Sequence, residues 1–90
     1  MRVKLSKEFL KQYKKIDIRI QKAFDQRLKV FLKNPRDLSM NNHKLRDKYI
    51  GCRSIDVTAD YRAIYEEVQE GEEIIAYFIA IGTHKQLYRQ

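Results

Sequence analysis

The chain has 90 residues, of which 43% are hydrophobic and 34% are charged, with only three Gly and one Pro. This composition is typical of one ordered domain over residues 1–90 and excludes a disordered tail. The formal net charge of +7 favours a polyanionic partner, with nucleic acid as the first candidate and anionic lipid or an acidic protein as the others.

Two helices are predicted in the first third of the chain. Residues 2–5 alternate like a strand, and Ser6 then offers an N-cap hydroxyl to the first helix. Asp17 restarts the helical pattern, and the second helix ends before Pro35, because the residue before proline disfavours helical dihedrals. Residues 1–34 carry eleven Lys and Arg against three acidic residues. The basic field therefore lies on these helices, unless its lysines merely solvate the helix faces.

Beyond Pro35 the sequence predicts a loop and then strands. Residues 36–42 lack periodicity and contain polar turn formers, as in a surface loop. From His43 onward the pattern alternates with period 2, which is typical of half-buried strands. The strands predicted for this antiparallel meander cover residues 52–57, 61–68 and 74–81, with a short strand over 43–46 as an option before them.

The last strand organises the predicted fold. It is apolar on both faces and is therefore expected inside the sheet, with the first strand of the chain beside it. The architecture is then α+β, with two N-terminal antiparallel helices packed on one face of a small, mainly antiparallel sheet. Short side chains such as Ala76 and Ala80 are expected on the other face. After Gly82, residues 83–88 are predicted to form a short helical tail.

The helical tail brings together residues that suit chemistry on a phosphate. His84 follows the end of the last strand, and Tyr88 comes four residues later. Cleaving RNA without a metal requires deprotonating a 2′-hydroxyl, stabilising the phosphorane and protonating the leaving oxygen. Histidine titrates near neutral pH, arginine binds phosphate bidentately and tyrosine stacks on bases. Arg62 is expected on one face with Asp60, and Arg53 lies on the neighbouring strand. Together with His84 and Tyr88, these residues predict a metal-free phosphate site.

Each of these residues has a structural alternative. A lone histidine is more often a surface or hydrogen-bonded residue than a catalyst. Tyr88 is equally suited to closing the core. The acidic side chains that would pair with Arg62 in a purely structural role are Asp60, Glu66 and Glu67.

Residue counts exclude several other classes of site. The single cysteine, Cys52, cannot form an internal disulfide, and two isolated histidines at 43 and 84 offer no zinc motif. The longest apolar run, residues 74–81, is far shorter than the roughly 20 residues that cross a bilayer, and the first ten residues lack a signal-peptide region. We therefore expect a soluble, cytoplasmic protein without membrane, metal or cofactor.

The order of these elements, together with three sequence blocks, resembles the RelE/ParE toxin superfamily. The blocks are Gly-Cys-Arg-Ser at 51–54, Asp-Tyr-Arg-Ala-Ile-Tyr at 60–65, and Ile-Gly-Thr-His at 81–84 followed by Leu87 and Tyr88. The Gly-Thr-His string followed by Leu and an aromatic residue is similar to the YafQ-like branch. The resemblance spans essentially the whole chain.

The resemblance implies a toxin of a type II toxin–antitoxin pair. Such a toxin is a ribosome-dependent endoribonuclease, an mRNA interferase that cuts the codon in the aminoacyl site and so inhibits translation. Its partners are the ribosome, mRNA and a cognate antitoxin. We expect an acidic antitoxin, because basic helices and open sheet edges are surfaces that a segment folding on binding can cover.

The resemblance also implies roles for individual residues. His84 matches the catalytic histidine of the family, Tyr88 its catalytic or base-contacting aromatic residue, and Asp60 an active-site acid. Arg62 falls where RelE has an active-site arginine. The residues expected to contact RNA are Arg53, Tyr61, His43 and Lys44.

Two positions depart from the YafQ-like pattern. Asp56 stands where those members have a histidine, and Ala80 stands where they have an arginine. Either Asp56 is itself a base in the catalytic set, or Arg62 and Arg53 supply the phosphate charge that residue 80 lacks. Two alternatives to RNA cleavage therefore stay open: a ParE-type toxin that inhibits DNA gyrase by protein contact, and a catalytically impaired toxin retained as an antitoxin partner.

Overall fold

The computed structural model of the chain describes residues 1–88 and has the predicted α+β fold. Two helices lie on one face of a single sheet, and a short C-terminal helix lies on the other. In chain order the elements are β1 (Arg2–Leu5), α1 (Lys7–Lys15), α2 (Ile18–Lys33), β2 (His43–Lys44), β3 (Cys52–Asp56), β4 (Tyr61–Glu70), β5 (Glu73–Thr83) and α3 (His84–Leu87), with 3₁₀ turns at Leu38–Met40 and Asp47–Tyr49.

The two long helices begin where their capping residues predict. The Ser6 hydroxyl accepts a hydrogen bond from the backbone N–H of Phe9 at 2.9 Å, and the Asp17 carboxylate accepts one from Arg19 at 2.7 Å. Each cap satisfies a backbone donor that the first turn of a helix leaves without a partner. Helix α2 ends at Lys33 with Asn34 as its C-cap, just before Pro35. No helix within residues 1–88 is long and apolar enough to cross a membrane.

The sheet has five strands in the order β1-β5-β4-β3-β2. β1 runs parallel to β5, and every other neighbouring pair is antiparallel. The interior position predicted for the last strand is confirmed, because β5 lies between β1 and β4. β4 occupies the middle of the sheet.

The core lies between the two long helices and the sheet, and Phe78 of β5 is at its centre. The Phe78 ring contacts four other aromatic rings, with centroid distances from 5.1 to 5.9 Å. Edge-to-face and tilted contacts at these distances add to the free energy gained by burying apolar area. The four rings are those of Phe9, Phe24, Phe31 and Tyr65.

A β-bulge in β5 changes which residues face the helices. Tyr65 is paired with Phe78, but Ile64 is paired with Ala80, so Ile79 is an extra residue on β5. Ala76 was predicted on the face away from the helices, and this is wrong: it is buried in the helix-side core. Ala80, beyond the bulge, does lie on the other face, where it packs with Ile64.

Helix α1 and its N-cap residue form hydrogen bonds with β5 at and beyond the bulge. The Gln12 side-chain oxygen accepts the backbone N–H of Ile81 at 2.9 Å. The Ser6 hydroxyl donates to the carbonyl oxygen of Ile79 at 3.5 Å. The orientation of the strand end that leads to His84 is therefore held from the helix layer.

The segment predicted as a surface loop, residues 36–42, is in part a core element. It contains the 3₁₀ turn Leu38–Met40, and Met40 is fully buried. Asn42 donates to the hydroxyl of the buried Tyr65 at 2.7 Å and to the carbonyl oxygen of Pro35 at 2.7 Å. Because a buried hydroxyl needs a hydrogen-bond partner, Asn42 is a structural residue of the core.

Candidate active site

We call the face of the sheet away from α1 and α2 the open face. The strand register places Asp56 opposite Arg62, and Arg62 opposite Gly82, so that these residues form a row across β3, β4 and β5. His84 follows Gly82 by two residues, at the start of α3. The register therefore brings the backbone of Arg62 beside the end of β5, two residues before His84.

The guanidinium of Arg62 is held by the turn between β3 and β4. Its Nη1 donates to the backbone carbonyl oxygens of Thr58, Ala59 and Tyr61 at 3.0–3.2 Å. Its Nε lies 3.0 Å from Oδ1 of Asp56, and both side chains remain a little under one third exposed. The structural partners predicted for Arg62, namely Asp60, Glu66 and Glu67, are wrong, because the register puts Asp56 directly opposite Arg62.

One polar atom in each side chain of this ion pair makes no hydrogen bond within residues 1–88. Oδ1 of Asp56 is buried, and no donor reaches it with hydrogen-bond geometry in residues 1–88, so its contact with Arg62 is one of charge alone. Within the same residues, Nη2 of Arg62 has no hydrogen-bond partner. A guanidinium that is fixed through Nη1 and Nε and has Nη2 free is suited to binding a phosphate oxygen.

The C-terminal helix α3 presents two of the predicted catalytic side chains together. The rings of His84 and Tyr88 lie 4.7 Å apart between centroids and are tilted by 35°. His84 is exposed, and Tyr88 is half-buried. Thr83 and Gln86 form a capping box at the start of the helix, with hydrogen bonds of 3.1 and 2.9 Å. An exposed imidazole beside a phenol is therefore presented at the strand end.

The other end of α3 is held by two residues that the sequence did not single out. The hydroxyl of Tyr49 and the ammonium of Lys48 both donate to the carbonyl oxygen of Leu87, at 2.9 and 3.0 Å. The Tyr49 ring meets the Tyr88 ring edge-on at 5.4 Å. Burial raises the pKa of the Tyr49 phenol, and the neighbouring Tyr88 and Cys52 raise it further. Residues 45–50 have no periodicity, so the sequence contains no pattern that places Lys48 and Tyr49 beside α3.

His43 lies one row away from Asp56 and Arg62. It pairs with Ser54 across β2 and β3, which puts its side chain on the open face. Its Nδ1 is 2.8 Å from the carbonyl oxygen of Asn41. Because a carbonyl oxygen only accepts hydrogen bonds, Nδ1 carries a proton in this contact and Nε2 is left for a ligand.

The structure places the other predicted RNA-binding residues outside this row. Arg53 is directed to the helix side, where its Nε donates to Asn42 at 2.7 Å. Lys44 pairs with Arg53 in register, and both line a cleft at the β2 edge of the sheet. Tyr61 is paired with Thr83 beside α3, but its ring packs against the helix-side core. These residues do not join the row on the open face.

Asp60 occupies the turn between β3 and β4 and is exposed. Its backbone N–H donates to the Thr58 hydroxyl at 3.3 Å. Within residues 1–88 it makes no ion pair with Arg62, which contacts Asp56 instead. In the same residues, no cluster of three or more His, Cys, Asp and Glu side chains has the spacing of a metal site.

Comparison with known proteins gives a match to one family over nearly the whole chain. The family model for the ParE toxin of the type II toxin–antitoxin system parDE matches residues 3–88. No curated protein matches the chain significantly in sequence.

Several solved structures share the fold. YafQ from E. coli strain BL21(DE3) superposes with a TM-score of 0.78 at 22% identity, covering 98% of this chain and 99% of that chain. A YoeB/ParE toxin from Agrobacterium tumefaciens gives a TM-score of 0.73 at 18% identity, covering 93% and 99%. A chain of the E. coli DinJ–YafQ toxin–antitoxin complex gives 0.65 at 22% identity, covering 96% and 94%.

Proposed function

The chain belongs to the family of ParE toxins of type II toxin–antitoxin systems, and from that premise we propose that it is a ribosome-dependent, metal-free endoribonuclease that cleaves mRNA and so inhibits translation. One observation carries the proposal. The ring pair of His84 and Tyr88 lies at the end of β5, and Arg62, with its Nη2 free, is paired with Gly82 at the same strand end. A proton-transfer group, a base-stacking group and a phosphate-binding group therefore lie at the same end of the sheet.

The reaction we propose needs no group beyond the RNA and the protein. A base takes the proton of the 2′-hydroxyl, the 2′-oxygen attacks the phosphorus, and the bond to the 5′-oxygen breaks as an acid protonates it. The products are a 2′,3′-cyclic phosphate and a 5′-hydroxyl. General acid–base catalysis and stabilisation of the phosphorane charge together account for the acceleration.

We assign His84 as the general acid, with the base as the alternative role, because it is the exposed imidazole at the strand end. Arg62 binds the phosphate through its free Nη2, and Tyr88 stacks on a base. The proton-transfer counterpart of His84 is Asp56 or Asp60. Asp56 lies in the row opposite Arg62, whereas Asp60 lies in the exposed turn.

The remaining basic residues guide the RNA and do not join the chemistry. His43 lies on the open face with Nε2 available, and Lys44 and Arg53 line the cleft at the β2 edge. Arg53 is already bonded to Asn42, so we propose that it adds positive charge and makes no direct contact with the scissile phosphate. Tyr61, packed against the helix-side core, is less suited to stacking than Tyr88.

We also propose a cognate acidic antitoxin and action on ribosomes in the cytoplasm. The DinJ–YafQ complex of E. coli, with which this chain shares its fold, is a toxin–antitoxin complex. Helices α1 and α2 carry nine Lys and Arg against two acidic residues, and such a field attracts both an acidic segment and the phosphates of the ribosome.

Purified protein, ribosomes and a defined mRNA test the proposal. We expect cleavage only when ribosomes are present, with cyclic phosphate and 5′-hydroxyl ends at the cut. His84→Ala should lower the rate by roughly 10²–10⁴-fold, the usual contribution of general acid–base catalysis. Lys85→Ala, which removes an exposed neighbour, is the matched control and should cleave like wild type. Undiminished cleavage by His84→Ala would contradict the assignment.

A gyrase-inhibiting toxin is the second candidate, and the family match favours it, since that family is described by its ParE toxin. In this case the protein acts by contact and needs no proton-transfer residues. Inhibition of gyrase supercoiling, with mRNA intact and with His84→Ala as potent as wild type, would select this function. A protein that neither cleaves mRNA nor inhibits gyrase would instead be an impaired toxin that only binds its antitoxin.

A further inference from the structure

Helix α3 is too short to hold its own shape. It consists of His84–Leu87, a single turn, and one isolated turn is unstable in water because it fixes several backbone dihedrals for a single hydrogen bond. The proposed catalytic pair, His84 and Tyr88, spans this turn from its first residue to its C-cap. The distance between the two rings therefore depends on how both ends of the turn are anchored.

The two ends are anchored in different ways. The N-terminal end is anchored locally, by the capping box that Thr83 forms with Gln86. The C-terminal end is anchored from a distant segment, because the Leu87 carbonyl oxygen accepts from the hydroxyl of Tyr49 and the ammonium of Lys48. Carbonyls at the end of a helix have no partner within it, so these donors satisfy a group that would otherwise bond only to water.

Aromatic contacts also connect Tyr49 to α3. The Tyr49 ring meets the Tyr88 ring at 5.4 Å with an interplanar angle of 88°, and the Tyr88 ring meets the His84 ring at 4.7 Å. Tyr49 thus contacts both the backbone that carries Tyr88 and the Tyr88 ring itself. A change at Tyr49 can therefore reach His84 through the α3 backbone and through the Tyr88 ring.

Tyr49 is itself fixed by its own segment. Its backbone N–H donates to the carbonyl oxygen of Arg46 at 3.2 Å, and Leu45 donates to Cys52 of β3 at 3.0 Å. The rings of Tyr49 and Tyr88 pack against a small apolar cluster on the open face that includes Leu87. The 3₁₀ turn at residues 47–49 is therefore tied to β3 and to this cluster, and it supports α3.

We infer that Tyr49 is a positioning residue, which holds the C-terminal end of α3 so that Tyr88 and His84 keep their relative placement. The inference rests on the proposed ribonuclease function. Tyr49 does not touch RNA in this account. Its loss should lower kcat, because the catalytic pair is misplaced, and should leave KM nearly unchanged.

Tyr49→Phe and Tyr49→Leu separate the two contacts. Tyr49→Phe keeps the ring packing and removes the hydroxyl, and we expect a roughly tenfold lower kcat, since small misplacements of catalytic groups reduce rates steeply. Tyr49→Leu removes both contacts, and we expect a loss of about 10²-fold. Tyr77→Phe is the matched control, because Tyr77 lies on the open face in a different cleft, and it should leave kcat unchanged.

An NMR measurement tests the positioning without relying on activity. The chemical shift of the His84 ring protons depends on the ring current of Tyr88, so we expect this signal to move in both Tyr49 variants and to stay in place in Tyr77→Phe. An unchanged His84 signal in both Tyr49 variants would overturn the inference. So would a moved signal with wild-type kcat in a protein that does cleave mRNA.

The failure of the proposed function has a different signature. In that case wild-type protein leaves mRNA intact, and the NMR signal still reports whether Tyr49 holds the ring pair. If Tyr49→Leu does not fold, Tyr49→Phe, which changes only one hydroxyl, carries the test.

Discussion

The two faces of the sheet are built in contrasting ways. The helix-side face buries five aromatic side chains, Phe78 and the four around it, and the one hydroxyl among them, on Tyr65, is bonded to Asn42. The open face has a small cluster of Cys52, Ile64, Ala80 and Leu87, and beyond this cluster lie a partly exposed ion pair and an exposed histidine.

The residues that stabilise the fold and the residues proposed for catalysis lie on different faces of the sheet. Apolar area removed from water is the main source of folding free energy, and most of it lies on the helix side. Groups that bind a charged ligand must stay accessible, and the residues proposed for this role lie on the open face. Substitutions on one face should therefore change mainly the free energy of unfolding, and substitutions on the other mainly the rate of cleavage.

The largest effect is expected for Phe78→Ala. It removes the ring that contacts four others and leaves a cavity, which costs about 3–5 kcal/mol of unfolding free energy. Denaturant unfolding followed by circular dichroism measures it, with Phe78→Leu as the milder control. A loss below about 1 kcal/mol would mean that the helix-side core does not dominate stability, since a well-packed ring cannot be removed so cheaply.

Arg62→Ala should show the opposite behaviour. We expect cleavage to fall by roughly 10²–10³-fold, as when a charge-stabilising donor is removed from other active sites. The free energy of unfolding should fall by less than for Phe78→Ala, by about 1–3 kcal/mol, because the ion pair with Asp56 is partly exposed but three carbonyl oxygens of the turn lose their donor. Arg62→Lys keeps the charge but loses the planar fork, and should recover only part of the rate. If Arg62→Ala unfolds the protein and spares the rate of the folded fraction, the two faces are not separable.

Much of the fold could be predicted from sequence because its signals are local. The caps at Ser6 and Asp17 act on residues two or three positions away, and Pro35 acts on its immediate neighbour. Period-2 alternation likewise depends on adjacent residues. The order of the elements and the position of β5 beside β1 were therefore correct.

The contacts within the candidate site depend on strand register and on distant segments, and sequence patterns do not contain either. Arg62 pairs with Asp56 because of the length of the turn between β3 and β4. The bulge at Ile79 has no glycine to mark it, so Ala76 was assigned to the wrong face. The bond from Tyr49 to Leu87 joins residues 38 positions apart. Such contacts emerge only when the sheet is assembled.

Gln12, in the helix layer, accepts a hydrogen bond from the end of β5 that leads to His84. Gln12→Leu tests whether this bond matters for both stability and cleavage. The substitution leaves the backbone N–H of Ile81 without its acceptor at the bulge, which should cost about 1–3 kcal/mol of unfolding free energy. Because the bulge sets how β5 leads into His84, we also expect slower cleavage. Gln12→Glu retains an oxygen acceptor and should keep most of the stability. Equal unfolding free energies for the Leu and Glu variants would show that this hydrogen bond is not needed.

The smallest effect is expected for Asp17→Asn in the helix layer, and it depends on pH. Asparagine caps a helix about as well as aspartate, so the substitution removes only the charge contacts with Arg19, at 3.1 Å, and with the start of α2.

The hydrogen bonds from the Arg19 side chain and backbone lower the pKa of the Asp17 carboxyl. A lowered pKa in the folded state stabilises the protein above the ordinary value of about 4, and this contribution is lost as the pH falls through the folded-state pKa. Thermal unfolding of both proteins between neutral and acidic pH should therefore show a small advantage of wild type at neutral pH that disappears in acid. A stability advantage of wild type that persists or grows in acid would contradict the lowered pKa of Asp17. A large advantage at neutral pH would show that surface charge in the helix layer stabilises the fold as much as the aromatic core does.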